Sequence, residues 1–217
     1  MNFFYTWLGS IAHTSFFRSF IFWLGAIRRL KKFPWLTWDQ REPTITHDEI
    51  DAIELLIQPG DVGVHFDWGY LSNLFIPGQF KHVWIHVDQH TVIEALAPGV
   101  LHHSCHTPLY TDSLVILRPK VSVEVKAAAV QRALDIVGFN YDVAFDFNLS
   151  AEFKHLNKHD QAFSCIEVVA YAYYPQFDEL GFKWVEHMGK QVIYPSTVVN
   201  PAWDVVWSNV PGIPTTV

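Results

Sequence analysis

The run Lys81-His82-Val83-Trp84-Ile85-His86-Val87, the triplet Asp88-Gln89-His90 and the run Thr91-Val92-Ile93-Glu94-Ala95-Leu96 read together as one β-hairpin. Both flanks are rich in β-branched residues, and a short polar connection separates them. Side chains alternate across a strand, so His82, Trp84 and His86 share one face while Val83, Ile85 and Val87 share the other. Two registers satisfy the spacing. A turn centred on Gln89 sets Trp84 opposite Glu94 and leaves the carboxylate diagonal to His82 and His86; a turn centred on Asp88 sets Glu94 directly opposite His82. In either register Glu94 lies on the face of the histidines, within hydrogen-bonding reach once the strands twist. A carboxylate beside an imidazole fixes its tautomer and supports its protonated form, as the third member of a catalytic triad does. The bland alternative is a polar cross-strand pair facing solvent.

A candidate nucleophile follows in Ala162-Phe163-Ser164-Cys165-Ile166-Glu167-Val168-Val169. Ser164 with Glu167 three residues later forms a capping box ahead of an apolar run, so a helix begins at Cys165. That puts the thiol in the first helical turn, where unpaired N–H groups and the helix dipole favour a thiolate. A buried cysteine is equally at home in a core as a small hydrophobe. Glu167 is assigned to capping, not to chemistry.

Around these two elements the chain reads as an α+β domain over residues 44–217. Thr46-His47-Asp48-Glu49 opens a helix that Pro59-Gly60 ends, and Asp61 to Phe66 is a strand. Trp68 to Phe75 makes a helical turn or two, and Ile76-Pro77-Gly78 turns the chain into the hairpin. After Ala97-Pro98-Gly99 comes a loop holding His102, His103, Cys105 and His106. These are the right atoms for zinc, but no CxxC or HExxH spacing accompanies them, and neither a metal nor a cofactor is expected. Leu114 to Pro119 is a strand, Val123 to Val137 a helix stopped by Gly138, and Asn140-Tyr141-Asp142 a turn, with Val143 to Phe147 extended. The cysteine helix runs through Val168, Val169, Tyr171 and Tyr173 until Pro175 stops it. Val192 to Pro195 and Val205 to Trp207 are further strands.

Of 217 residues, half are hydrophobic and 16% aromatic, which excludes a disordered chain. The net charge of −7 excludes a general nucleic-acid binder. Two cysteines, Cys105 and Cys165, do not make a disulfide framework, although one bridge between them is arithmetically available. Residues 1–43 stand apart. Phe3 to Ile27 is rich in Phe, Trp, Leu and Ile, and Arg28-Arg29-Leu30-Lys31-Lys32 follows, the reverse of the charge order in a secretory signal. Thr6, Ser10, His13, Thr14 and Arg18 draw a polar stripe along this apolar segment. The expectation is an amphipathic helix lying on a membrane surface through residues 3–32, with Trp7, Trp23 and Trp35 as interface anchors and the cationic run on anionic headgroups. A membrane-spanning helix and a helix packed on the protein's own core are the alternatives. Membrane association on the cytoplasmic side is favoured, the cell envelope being the other placement. Lys32 to Pro43 reads as a linker.

The turn Gly60-Asp61, the phrase GYLSNLFIPGQFKHVWIHV, the hairpin end VIEALAPGV, the strand VILRP, the turn GFNYD and the element FSCIEVV resemble, in this order and spacing, the permuted papain-like cysteine hydrolases of the NlpC superfamily, in the YiiX/YebB-like branch. The match runs from about Gln58 to about Pro195. The resemblance implies a small antiparallel sheet packed against helices, the histidine strand preceding the cysteine helix, an order shared with lecithin:retinol acyltransferases. It implies Cys165 as nucleophile, His82 as base, Glu94 as the residue that orients it, and Tyr141, Trp84 and His86 as residues near a substrate. Two positions depart from the family: Ile166 replaces a small polar residue after the cysteine, and Trp84 is bulky where smaller residues are usual. The implied activity is cleavage of an amide or ester in a small peptide-like or acyl substrate through a Cys165 acyl-enzyme. A lipid-directed acyltransferase or esterase and a catalytically silent binding module are the competing readings.

Overall fold

The computed structural model describes residues 23, 27–29, 36–38, 43–74, 76–142, 162–187 and 190–216. The expected amphipathic helix and the extended stretch 143–147 therefore lie almost wholly outside the described residues. Among those described, no helix is long and apolar enough to cross a membrane. Strand β1 (Ile27–Arg29), at the end of the segment 3–32 expected to lie on a membrane as a helix, pairs antiparallel with β2 (Leu36–Trp38), inside the expected linker. Two prolines flank β2 and none interrupts it, which leaves Leu36, Thr37 and Trp38 free to extend.

The main domain is mixed α+β. Helix α1 (His47–Leu56) starts at the Thr46 capping box, in which Glu49 accepts from the Thr46 N–H at 2.8 Å. Strand β3 (Val62–Phe66) follows, and a single 3₁₀ turn at Leu71–Leu74 leads towards β4 (His82–His86). Strands β5 (Thr91–Leu96) and β6 (Gly99–Ser104) come next, then a one-turn helix α2 (His106–Leu109), β7 (Ser113–Pro119) and α3 (Val123–Asp135). Strand β8 (Asn140–Tyr141) pairs in parallel with β9 (Ala162–Phe163), which runs directly into α4 (Cys165–Ala172). Asn140 and Tyr141 thus belong to a strand, where a turn was expected. A second small hairpin, β10 (Val185–His187) with β11 (Lys190–Val192), precedes β12 (Trp203–Ser208). The expected 192–195 strand overlaps only the last residue of β11, and Pro195 opens a 3₁₀ turn.

Six strands form one antiparallel sheet in the order β12-β7-β3-β4-β5-β6. The expected loop after Gly99 is in fact its edge strand β6. Leu96 pairs with Gly99, so Ala97-Pro98-Gly99 closes a hairpin. Gly99 takes φ +127°, and a Cβ there would meet the Phe139 carbonyl at 2.2 Å, so only glycine fits. The polar content of His102, His103 and Ser104 hides the strand from a hydrophobic-pattern reading, but an edge tolerates it.

Two apolar clusters sit on the two sides of the sheet. Val83, Ile85, Ile93 and Ala95 pack with Val168, Val169 and Ala133 of α4 and α3. Trp84, Val92, Leu114 and Ile116 pack with Ile50 and Ile53 of α1. Helix α4 is buried along its whole length, which is why its sequence is apolar all round rather than amphipathic. Arg118 on β7 ties the layers at the far end: its Nε and a terminal nitrogen reach both oxygens of fully buried Asp61, at 2.9 and 2.6 Å, and it also donates to the Leu56 carbonyl.

Trp84, fully buried, lies across Gly63 on β3, and a Cβ on Gly63 would come within 2.1 Å of the indole. The bulky tryptophan is accommodated by the missing side chain opposite it. Gly63→Ala is therefore expected to destabilise the domain by about 1–3 kcal/mol through overpacking. Denaturant unfolding of the variant, and of Gly63→Ala combined with Trp84→Leu, measures this; the second change should recover part of the first loss.

Candidate functional site

Strands β4, β5 and β6 bring one carboxylate between two imidazoles. Ile85 pairs with Ile93 and His86 with Val92, so the turn is centred on Gln89. Continued by one residue, this register sets Trp84 opposite Glu94 and His82 diagonal to it. Glu94 Oε2 lies 2.5 Å from His82 Nε2. On the other side, Val92 pairs with His103, and Glu94 Oε1 lies 2.7 Å from His103 Nε2. Glu94 is 2% exposed, so both oxygens find their partners inside the protein.

The thiol approaches from the opposite layer. Cys165 is the first residue of α4, and the capping box there sets the Glu167 carboxylate on the Ser164 N–H. His82, at the first position of β4, is near enough to Cys165 for the charge of the thiol to act on the imidazole. With Nε2 engaged by Glu94, Nδ1 is the nitrogen left for the thiol. Burial works against a charged His82, yet the charges of Cys165 and Glu94 and the hydrogen bond to Glu94 push its pKa up to about 10. Burial likewise works against a charged Glu94, but His82 and the hydrogen bond from His103 hold its carboxyl well below the usual carboxylate range. The hydrogen bond to Glu94 raises His103, against burial and the like charge of His82.

Other groups shape this centre. His65 on β3 pairs across the sheet with His82, with ring centroids 4.9 Å apart, and its Nε2 is 4.0 Å from Asp67 Oδ2. Asp67 in turn accepts from the Thr111 hydroxyl at 2.6 Å. Tyr141 of β8 pairs with Phe163, two residues before the cysteine. Burial and the nearby charges of Cys165, Asp142 and Glu167 raise the Tyr141 phenol well above its ordinary range. Burial and Asp142 raise the Glu167 carboxyl in the same way, although its bond from Ser164 opposes the shift. The charge of Cys165 therefore acts on both groups, raising the Glu167 carboxyl and the His82 imidazole.

The remaining sequence candidates separate. Trp84 is part of the core on the α1 side. His86 is 1% exposed at the far end of β4, beside Asp61, Asp88 and the backbone of Gln58 and Gln89, where burial lowers its pKa. Four strand residues place it roughly 13 Å along from His82. The donors of the 102–106 segment diverge. His102 meets the Thr91 hydroxyl at 2.8 Å and His103 meets Glu94, while Cys105 and His106 both reach Glu54 Oε1, each at 3.2 Å. Among the described residues no group of three or more His, Cys, Asp or Glu side chains is arranged to hold a metal ion. Both cysteines are free, so the available Cys105–Cys165 bridge is not formed. Sequence reasoning passed over His103 and His65 as partners of this centre. His65 had a findable signal, since a strand beside the hairpin brings its own histidine level with His82; His103 was hidden by reading β6 as a loop.

Comparison with protein-family models, with curated proteins and with solved structures gave no match.

The buried pair carries a definite pH dependence. The raised His82 contributes stability in full below its ordinary 6.5, and loses it as pH rises towards about 10. The lowered Glu94 contributes stability above the usual carboxylate range, and loses it only as pH falls through its depressed folded value. The stability difference between the parent and His82→Gln should therefore be largest near pH 5–6 and shrink steadily from pH 6.5 to 10. Urea unfolding across that range measures it; a difference that grew with pH would contradict the pairing.

Proposed function

We propose that the chain is a thiol hydrolase that cleaves an amide or ester through an acyl-enzyme on Cys165, within a permuted papain-like domain. The observation that carries this reading is His82, hydrogen-bonded to the buried Glu94 carboxylate and within reach of the charge of the Cys165 thiol at a helix N-terminus. The order of histidine strand, carboxylate strand and cysteine helix supports the permuted arrangement, as does packing of α4 against the sheet.

In the proposed reaction the thiol proton rests on His82 Nδ1, as the raised His82 favours, and the sulfur attacks the substrate carbonyl. Glu94 keeps the proton on Nε2 and stabilises the imidazolium that forms. The Cys165 N–H, at the first position of α4, is placed to donate to the developing oxyanion. Collapse expels the amine or alcohol, which takes its proton from His82. Water, deprotonated by the same imidazole, then attacks the thioester, and the carboxylic acid leaves with the thiol restored. Tyr141, beside the sulfur, lines the approach of the substrate.

The lipid-directed reading uses the same three residues with a different acyl donor or acceptor. It draws on the aromatic and cationic segment 3–32 and on Trp23 and Trp68, which are 50% and 61% exposed. Parallel assay of a labelled acyl-lipid and of small peptide amides separates the two. A silent binding module would show neither activity.

Iodoacetamide at pH 7 tests the nucleophile directly. Burial and Glu54 push the Cys105 thiol up to about 12, so Cys165 should be alkylated first and Cys105 spared. Peptide mass mapping reads the site, and labelling of Cys105 ahead of Cys165 would overturn the proposal. With a substrate in hand, His82→Ala should lower kcat/KM by about 10²–10⁴-fold, and Cys165→Ala should abolish the acyl-enzyme.

A further inference from the structure

The Glu94 carboxylate has two oxygens and the proposed triad uses one. His103 holds the other, Nε2 to Oε1 at 2.7 Å, from the neighbouring strand. We infer that His103 is a positioning residue, acting on His82 and Cys165 only through Glu94: it pins the carboxylate so that Oε2 stays on His82. This inference rests on the thiol-hydrolase reading and extends it by one residue.

The geometry argues for a fixed role. Glu94 sits on the middle strand of three, with one histidine diagonal to it on each neighbour, and each histidine offers the same nitrogen. A carboxylate 2% exposed draws almost nothing from solvent, so each hydrogen bond it accepts supports its charge. Removal of the His103 donor leaves Oε1 bare in a buried site. The carboxylate then either takes up a proton or turns away, and both outcomes withdraw support from the His82 imidazolium. The ionisable groups whose charge acts on His103 are Glu94 and His82 themselves. The His103 side chain keeps 24% of its surface exposed, so its replacement does not open a sealed core. The adjacent His102 is spoken for by Thr91 and does not substitute.

The test compares the full-length parent with His103→Ala and His103→Gln, the latter retaining an N–H donor for Oε1. Two quantities are read: the iodoacetamide rate at Cys165 from pH 5 to 10, and the titration of the His82 ring by NMR. His103→Ala should slow alkylation at pH 7 by about 10–100-fold, the range typical of residues that orient a functional ligand from behind. It should also move the His82 titration down by about one pH unit, as expected on loss of a charge-assisted hydrogen bond. His103→Gln should recover most of both. An unchanged rate profile and His82 titration in a folded His103→Ala would overturn the inference while leaving the hydrolase reading intact. So would equal damage by Ala and Gln. Failure of the parent to label at Cys165 would instead strike the hydrolase reading itself. Circular dichroism on each variant establishes that the fold is retained; if His103→Ala unfolds, the comparison of parent with His103→Gln decides, with a His82 titration lowered by Gln as much as one pH unit counting against the inference.

Discussion

A carboxylate buried to 2% exposure has to be paired, and the pairing of Glu94 sets the terms for half of the sheet. Its two oxygens require donors from β4 and from β6 at once. A slip of one residue at either ladder turns every side chain of that strand over and takes a histidine away from the charge. The register that buries Ile85, Ile93 and Ala95 under α4 is the same one that closes the His82–Glu94–His103 contact. Apolar burial and charge pairing therefore select the same arrangement, one through the inner faces of the strands and the other through the outer.

The centre also joins the two layers. Glu94 shares its strand face with Val92, on the α1 side, whereas Cys165 belongs to the cluster on the α4 side. His82 stands at the first residue of β4, where the imidazole can touch both. The electrostatic consequence is asymmetric. The charges of Cys165, Asp142 and Glu167 help to raise the Tyr141 phenol, while those of Cys165 and Glu94 raise the His82 imidazole.

The scaffold behind the site is held by contacts of a different kind. Gly63 yields space to Trp84, and Arg118 spans from β7 to Asp61 and the end of α1. These contacts keep β3 in place, and β3 carries His65 to the side of His82. Substrate-facing roles that the family resemblance assigns to Trp84 and His86 find no counterpart here, because one is enclosed by core and the other lies a strand length away.

Much was legible in the residues alone: the α+β class, the capped starts of α1 and α4, the 82–96 hairpin, and Glu94 on the histidine face of that hairpin. Those features are local, written in alternation, capping and turn chemistry over a few positions. The hairpin's register stayed open between two turns, because both satisfy its local pattern and keep Ile85 and Ile93 on one face; the folded ladder, with Ile85 opposite Ile93, is the one centred on Gln89. Strand β6 escaped because its histidines lack an apolar rhythm, and an edge strand is defined by its neighbour rather than by its own composition. The sequence by itself determined the strand face that carries His82 and Glu94 and the helix start at Cys165. Only the tertiary structure decided that one carboxylate serves two histidines, since His82 and His103 meet across three strands whose alignment depends on the core beneath them.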